Sequence, residues 1–191
     1  MVGNMDLPWG DEKTVMFITN VGLITSKGIY GDNIMAAEWT HHVSYIPGLI
    51  AVCLGLNRAT LQNIKSSKEF GVNLTATDQN VLASVAGGST GKEIDKVKVL
   101  KELGFKFYKA KKINALMVKD AVLNLECKLV KQIELGDHMM LVGEVINAEL
   151  NKGKEPLVYH RLKFWKLEKN IEKPSEKELE RIKNIVQENK K

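Results

Sequence analysis

Three short polar segments contain the residue types that could bind a flat, charged ligand. Residues 33–40 (NIMAAEWT) place small side chains within a strand-like run, where a flat ring could lie close to the backbone. Residues 57–63 (NRATLQN) place an arginine and a hydroxyl where a helix begins, and the free N–H groups and dipole of such an end favour an anion. Residues 89–96 (STGKEIDK) add hydroxyl groups and a lysine.

Arg58 is the side chain that points most directly to a phosphate. Only three of the 28 basic residues are arginine, and the planar guanidinium can bind a phosphate through two parallel hydrogen bonds, which lysine cannot do. Taken singly, the three segments are also explained by ordinary structural roles: a strand edge, a helix cap and a solvated loop. Their order along the chain is what favours a binding site.

The formal net charge of +5 comes from one short stretch of the chain. Residues 92–112 contain eight lysines and three acidic residues, and the remainder is balanced. A basic stretch can bind nucleic acid, but this one offers only Phe105, Phe107 and Tyr108 for base stacking, and the chain has no RNA-binding signature. We therefore expect no nucleic-acid partner.

The sequence lacks the motifs of several other kinds of functional site. The sequence lacks the G-x-G-x-x-G dinucleotide fingerprint and the G-x-x-x-x-G-K-[ST] phosphate loop. Its four histidines, at positions 41, 42, 138 and 160, have no partners at metal-ligand spacing, so we expect no metal site. Cys53 and Cys127 lie in apolar runs without C-x-x-C spacing, which favours buried, reduced thiols in a cytoplasmic protein.

Membrane insertion and export are not expected either. No apolar run approaches the roughly 18 residues that a membrane-spanning helix needs. The first 14 residues show no apolar core behind a basic start, so the sequence predicts no signal peptide.

Residues 1–170 are predicted to form one domain of about seven strands with three short helices between them. Strand follows strand over most of this length, which favours an antiparallel sheet or small barrel over a parallel α/β sheet. The clearest element is a hairpin of residues 121–134 and 138–149 around a tight turn at Gly136. The predicted helices cover residues 60–67, 77–88 and 95–103, the first of them capped by Thr60.

Residues 171–191 are predicted to form a separate amphipathic helix. Ser175 and Glu178 have the spacing of a capping box, and Leu179, Ile182 and Val186 follow at helical spacing on an otherwise charged segment. So narrow an apolar stripe is typical of a helix that packs against the body of its own protein or against a sister subunit.

Six motifs occur in order along most of the chain, from about Val21 to Leu167. They are residues 31–40 (GDNIMAAEWT), 57–64 (NRATLQNI), 69–73 (EFGVN), 89–96, 125–127 (LEC) and 136–138 (GDH). The first is similar to an N-x-M-x-A-x-W stretch, and in this order the motifs resemble those of the flavin reductase-like, FMN-binding split-barrel family, which includes flavoredoxin and ferric reductase.

The resemblance implies a mainly β fold, a six-stranded split β-barrel of Greek-key type with short helices. It also implies a homodimer that binds FMN near the subunit interface. The residues implied to line the isoalloxazine ring and ribityl chain are Met35, Ala36, Ala37, Glu38 and Trp39. Those implied to bind the phosphate are Arg58, Thr60 and Asn63, with Ser89 and Lys96 completing the pocket.

Two functions are compatible with such a flavin site. The first is an NAD(P)H-dependent flavin or ferric reductase that passes hydride through N5 of FMN, and the alternative is a non-enzymatic FMN electron carrier of the flavoredoxin type, reduced by a redox protein partner. In the first, the resemblance makes His138 the catalytic candidate, because it would face the side on which a nicotinamide nucleotide could stack; the alternative is a structural histidine of the Gly-Asp-His turn. No side-chain nucleophile is required in either case, because a flavin carries the redox chemistry itself.

Overall fold

The predicted hairpin forms the central element of the computed structural model, which describes residues 5–190. Strands β9 (Leu123–Leu135) and β10 (His138–Leu150) pair in antiparallel register, with Leu135 opposite His138. Gly136 in the turn has a φ of 56°, in the left-handed region that glycine enters without a side-chain clash. The sequence prediction of this hairpin is therefore confirmed.

The described residues contain twelve strands and four α-helices. The remaining strands are β1 (Thr19–Asn20), β2 (Gly22–Gly28), β3 (Gly31–Ala37), β4 (Thr40–Ser44), β5 (Leu49–Gly55), β6 (Glu69–Leu74), β7 (Phe107–Lys109), β8 (Leu116–Val118), β11 (Leu157–His160) and β12 (Lys163–Lys166). The helices are α1 (Ala59–Ser67), α2 (Asn80–Gly88), α3 (Lys96–Glu102) and α4 (Glu176–Glu188), and short 3-10 turns cover Thr14–Met16 and Thr77–Gln79.

Seven strands form the main antiparallel sheet, in the order β3-β2-β6-β9-β10-β5-β4. The two outermost strands, β3 and β4, are consecutive in the chain and are separated only by Glu38 and Trp39. They are two halves of one sharply bent strand, which brings the ends of the sheet together, and β3 contacts β5. When β3 and β4 are counted as one bent strand, the barrel has six strands. The predicted split β-barrel fold is confirmed.

Two apolar clusters hold the helices on opposite sides of β3. The cluster inside the barrel contains Phe70 and Leu141, and α1 contributes Leu61 and Ile64 to it. The cluster outside the barrel joins β3 to α2 and α3, chiefly through Ile34, Leu82, Ala83, Ala86 and Leu100. Because successive side chains of a strand point to opposite faces, β3 contacts α1 with one face and α2 with the other.

Several elements differ from the sequence prediction. Residues 15–25 are rich in β-branched and apolar residues, which predicts one strand, but they form a 3-10 turn followed by β1 and β2, with a break at Val21. The first helix begins at Ala59, so Arg58 is its N-cap and Thr60 lies in its first turn, whereas Thr60 was the predicted cap. Strands β4, β7 and β8 were not predicted: β4 is largely exposed, and β7 and β8 have only three residues each, too few to show an apolar periodicity.

The C-terminal helix forms as predicted but makes little contact with the barrel. Its N-cap Ser175 accepts a hydrogen bond from the backbone N–H of Glu178 (3.3 Å), and no described residue of α4 is buried. The predicted division into residues 1–170 and 171–191 stays a prediction, and its outermost residues, 1–4 and 191, lie outside the described part. None of the helices described for residues 5–190 is long and apolar enough to cross a membrane.

Candidate functional site

The three polar segments singled out in the sequence meet around one small cavity of about 50 Å³. Strand β3 lies between the N-terminal end of α1 and the loop that follows α2, and each contributes to the wall. Of the predicted site residues, those that line this cavity are Met35, Ala36, Arg58, Thr60, Ser89 and Lys96. We call this cavity the cation pocket, because two positively charged side chains meet there and none of the described residues lining it is acidic.

Lys96 is the most unusual residue of the cation pocket, since it is a lysine with only 3% of its surface exposed. Its Nζ atom donates to the carbonyl oxygens of Ala86 (2.9 Å) and Ser89 (3.2 Å) at the C-terminal end of α2. Burial, together with the nearby charge of Arg58, lowers the pKa of Lys96 to about 8. An ammonium group has three protons, so one remains for a further acceptor.

The N-terminal end of α1 provides the opposite wall. Arg58 is the N-cap residue, and its side chain does not cap the helix, so the first backbone N–H groups stay available to a ligand. Thr60 is buried, and its Oγ1 atom accepts a hydrogen bond from Asn33 Nδ2 (2.8 Å). Because this oxygen already acts as an acceptor, its proton is free to be donated to a ligand.

Asn33 and Gly91 lie in the predicted segments and line the pocket, but they were not among the predicted site residues. Asn33 is buried and orients the Thr60 hydroxyl. A Cβ atom added to Gly91 would lie 2.2 Å from Asn33 Oδ1, so only glycine lets this loop approach β3 so closely. One signal was present in the sequence: Asn33 lies two residues before Met35 and therefore on the same face of β3.

Asn63, predicted to bind the phosphate, lies away from the cation pocket. It is fully buried, and its Oδ1 atom accepts a hydrogen bond from the backbone N–H of Tyr30 (2.9 Å). Its Nδ2 atom donates to the carbonyl oxygen of Gly31 (3.0 Å) and to Ser26 Oγ (3.3 Å). The side chain thus holds the turn between β2 and β3 and has no free group directed at the cavity.

The predicted ring-binding residues 35–39 form a continuous run, but their side chains point in different directions. Ala37 is buried in the barrel interior. Glu38 accepts a hydrogen bond from Trp9 Nε1 (3.2 Å) in the N-terminal segment. The pKa of Tyr159 is raised by burial and by the charge of Glu38, and Glu38 is not among the residues that line the cation pocket. Trp39 is 54% exposed at the bend between β3 and β4.

His138 lies beside Trp39, with ring centroids 4.6 Å apart and ring planes tilted by 46°. Its Nδ1 atom lies 2.7 Å from Asp137 Oδ1, and this contact lowers the pKa of Asp137. Its Nε2 atom and Arg58 Nε both lie within about 4 Å of the position that a Cβ atom of Gly55 would occupy. His138 therefore lies next to the arginine of the cation pocket, and its catalytic role stays a prediction.

The arrangement suits a phosphate monoester. A guanidinium, a buried ammonium, a hydroxyl and helix N–H groups all offer hydrogen-bond donors, which is the pattern of an anion site. The cavity is too small for a whole nucleotide, since clefts for drug-sized ligands measure roughly 300–1,000 Å³. Within residues 5–190 no group of three or more His, Cys, Asp or Glu side chains is placed to hold a metal ion.

Comparison with known proteins agrees with the fold and with the motifs. Residues 15–168 match the family model described as the flavin reductase like domain. The chain is 31% identical over 114 residues to a ferric-chelate reductase (NAD(P)H) of Archaeoglobus fulgidus, covering 59% of this chain and 64% of that protein. It is 24% identical over 144 residues to the FMN reductase (NADH) RutF of Agrobacterium fabrum, covering 75% of this chain and 79% of that protein.

Among solved structures, the chain is similar to BorF, the flavin reductase component of a bacterial two-component tryptophan halogenase. The TM-score is 0.72 at 25% identity, covering 83% of this chain and 96% of BorF. The chain spans about two thirds of the length of the archaeal relatives that it matches. The match over residues 15–168 shows that the chain belongs to the flavin reductase like domain family, as its motifs predicted, and that it is an oxidoreductase of the split-barrel fold.

Proposed function

We propose that this protein binds FMN and is an NAD(P)H-dependent flavin or ferric reductase. The observation that carries the proposal is the cation pocket, in which the buried Lys96 and the exposed Arg58 face one cavity without a neutralising carboxylate. Burying the charge of Lys96 without a counter-ion costs free energy, so a buried lysine next to an arginine is expected where an anion binds. The positive charge and small volume of this cavity suit the phosphate group of FMN.

The protein's own groups would bind and orient the cofactor. Arg58 would donate two parallel hydrogen bonds to the phosphate, while Thr60 and the third proton of Lys96 would donate one each. Ser89 lines the same wall, but its hydroxyl donates to the carbonyl oxygen of Val85 (3.1 Å), so its Oγ atom would serve as an acceptor or contact only. When bound, the flavin would supply the two-electron redox chemistry that no side chain here provides.

The bent strand β3–β4 would position the ring. Met35 and Ala36 line the cation pocket and lead toward the exposed Trp39, which lies against His138. A flat ring extending from the phosphate along this strand would lie over small side chains and end at the two aromatic rings. His138, held through Nδ1 by Asp137, would then present Nε2 on the side where a nicotinamide approaches.

A homodimer is part of the proposal, and exposed apolar side chains along and beside β4 support it. Trp39, Val43, Tyr45 and Ile46 are between 54% and 95% exposed, and they lie along or beside β4 at the margin of the sheet. Exposed apolar groups on a sheet edge favour pairing with another chain. A second copy would cover them and would enclose the ring side of the flavin.

The proposal also includes a partner enzyme and a cytoplasmic location. BorF is the flavin reductase component of a two-component halogenase, so we propose that this chain too can supply reduced flavin to a partner enzyme. The free thiols of Cys53, which is half-buried, and Cys127, which is buried, are consistent with the proposed cytoplasmic location.

The test is flavin uptake followed by rapid mixing with NADH. The purified protein should take up FMN in the visible absorbance band, and millimolar NADH should bleach that band. Failure to take up flavin would overturn the proposal. Uptake without bleaching by either NADH or NADPH would instead favour the flavoredoxin-type electron carrier. Light scattering on the same sample should give the mass of a dimer.

A further inference from the structure

A second set of exposed apolar side chains lies on the small antiparallel sheet formed by β1, β11 and β12. Tyr159 and Phe164 are opposite each other in this sheet, and both pack against the apolar cluster outside the barrel. Val158 and Trp165 are the neighbouring pair, so they lie on the opposite face of the sheet. That face and the segments beside it expose Phe17, Ile18, Leu162 and Trp165. We call these four side chains the small-sheet patch.

The turn between β11 and β12 holds one of these side chains in an unusual position. Arg161 and Leu162 have φ angles of 49° and 59°, in the left-handed region. Two residues in this conformation form a tight hairpin turn, for which glycine, asparagine and aspartate are the usual residues. An exposed leucine at such a place is unfavourable in the single chain and is expected where another surface covers it.

The small-sheet patch is adjacent to the surface already proposed for the dimer. Asn20 in β1 donates a hydrogen bond from Nδ2 to the carbonyl oxygen of Thr40 (2.6 Å), the first residue of β4. The small sheet therefore lies against the start of β4, whose exposed apolar side chains support the homodimer. A second copy that covers β4 is close enough to reach the small-sheet patch as well.

Helix α4 has the apolar surface that can cover this patch. None of its described residues is buried, and its apolar stripe of Leu179, Ile182 and Val186 is exposed. The helix lies beyond the family domain of residues 15–168, and residues 167–175 connect it to β12. A fully extended segment of this length spans about 30 Å, which is enough to reach a neighbouring copy.

The charges beside the two apolar surfaces are complementary. Arg161, Lys163 and Lys166 are exposed on β12 and the turn before it, and none of them forms an ion pair with a described residue. Residues 176–180 (EKELE) at the start of α4 contain three glutamates and one lysine. Glu176 and Glu180 also form no ion pair within residues 5–190. Opposite charges on facing surfaces favour and orient their association.

We propose that α4 of one copy packs its apolar stripe on the small-sheet patch of a second copy. This inference rests on the proposed homodimer and names the surface that α4 covers in it. In a dimer with twofold symmetry the exchange is reciprocal, so each stripe and each patch is covered once. The single chain leaves both surfaces exposed because the partner of each belongs to the other copy.

Sedimentation equilibrium of Ile18→Asp tests the small-sheet patch. This variant should raise the dimer dissociation constant at least about tenfold, because it places a charge in the covered surface. Ile29→Asp is the matched control, since Ile18 and Ile29 are both 71% exposed and Ile29 lies in the turn between β2 and β3. Equal dissociation constants for the two variants overturn the inference.

The double variant Ile18→Asp/Ile182→Lys shows whether the two residues meet. Opposite charges in contact attract, so the double variant should dimerise at least about tenfold more tightly than the product of the two single effects requires. Single effects that simply multiply place α4 elsewhere on the second copy and overturn the inference.

Cross-linking separates exchange between copies from packing within one chain. Ile182→Cys on a tagged chain and Ile18→Cys on an untagged chain are mixed until subunits exchange. Both chains carry Cys53→Ser, which leaves only the buried Cys127 as a native thiol. Mild oxidation should join tagged to untagged chains, and far less so when Asn184→Cys replaces Ile182→Cys. A disulfide that forms only when both new cysteines are on one chain overturns the inference.

The wild-type protein distinguishes failure of this inference from failure of the proposed function. A chain that takes up FMN but sediments as a monomer overturns the dimer and the packing of α4, and leaves the flavin site in place. A chain that takes up no flavin contradicts the proposed function, whatever its oligomeric state.

Discussion

The Nζ atom of Lys96 donates a hydrogen bond of 2.9 Å to the carbonyl oxygen of Ala86 in the last turn of α2. This contact satisfies a carbonyl group that the helix leaves without a partner, and it fixes the ammonium at the wall of the cation pocket. The same lysine therefore stabilises a helix end and presents a positive charge to a ligand. Its lowered pKa, about 8, is the consequence of that buried position beside Arg58.

The lowered pKa makes flavin affinity depend on pH. Lys96 is charged below pH 8 and neutral above it, and an anion binds the charged form. The affinity for FMN should therefore be highest below pH 8 and fall by up to about thirtyfold at about pH 9.5, if binding restores the ordinary pKa. Fluorescence titrations at the two pH values measure this change, and Lys96→Met should bind weakly at both. A wild-type affinity that does not change with pH would contradict the assignment.

The same lowered pKa also makes the stability of the ligand-free protein depend on pH. Stability should rise with pH, whereas FMN affinity should fall. Between pH 8 and 10.5 the unfolded chain holds the Lys96 proton more tightly than the folded chain does. The free energy of unfolding should accordingly rise through this window relative to that of Lys96→Met, and the cost of the buried charge is fully present below pH 8. Urea unfolding at several pH values gives the difference between the two proteins.

Arg58→Ala should weaken FMN binding by about 1.5–3 kcal/mol, the range for hydrogen bonds to a charged group. The fold should be unaffected, because Arg58 contributes no side-chain cap to α1. Arg181→Ala is the matched control, since Arg181 is exposed on α4 and pairs only with Glu178 among the described residues. Equal affinities for wild type and Arg58→Ala in equilibrium titration would remove Arg58 from the phosphate site.

Much of the site could be predicted because its parts are local. A glycine turn between two alternating runs indicates a hairpin, and an arginine and a hydroxyl at a helix start indicate an anion site. Each pattern lies in one contiguous stretch of the chain, and the resemblance to a family gave their relative placement. The residues predicted in this way, among them Arg58 and Lys96, do line one cavity.

What could not be predicted depends on contacts between distant parts of the chain. Asn63 lies in the expected motif, yet its side chain holds a turn 32 residues away in sequence, at Gly31. The role of Asn33 arises only because Thr60, 27 residues later, packs against it. The bend at Glu38, which converts one strand into β3 and β4, is set by closure of the barrel and has no local turn signal.

Gly91→Ala should lower both stability and flavin affinity, because the added Cβ would lie 2.2 Å from Asn33 Oδ1. The loop would have to move away from β3, at a cost of about 1–3 kcal/mol by analogy with overpacked cores. Gly88→Ala is the control: a Cβ there meets no atom within 4 Å, and alanine is a better helix residue. Thermal unfolding and FMN titration of both variants should show a loss only for Gly91→Ala.

Glu126 fixes the loop of residues 110–115, although it lies outside the cation pocket. Its buried carboxylate accepts hydrogen bonds from the backbone N–H groups of Lys111, Lys112 and Ile113 and from Asn147 Nδ2. Glu126→Gln should lower the free energy of unfolding by about 2–4 kcal/mol, because a neutral amide is a weaker acceptor and its NH₂ would face other donors. Urea midpoints equal to those of the exposed control Glu134→Gln would show that the carboxylate is not needed.

The C-terminal helix offers a test of the predicted division of the chain at residue 170. Because no described residue of α4 is buried, removing residues 171–191 should change the melting temperature of the barrel very little. The helix nevertheless exposes an apolar stripe, with Leu179, Ile182 and Val186 between 43% and 58% exposed. We expect this stripe to contribute to association with a second copy.

Ile182→Lys in the full-length chain should therefore weaken dimerisation, because it places a charge within the apolar stripe. Asn184→Lys on the same exposed helix is the matched control, since it adds the same charge off the stripe. Sedimentation equilibrium should give a dimer dissociation constant at least about tenfold higher for Ile182→Lys than for Asn184→Lys, equivalent to about 1.4 kcal/mol. Equal dissociation constants would show that α4 does not contribute to the dimer and that its apolar stripe has another purpose.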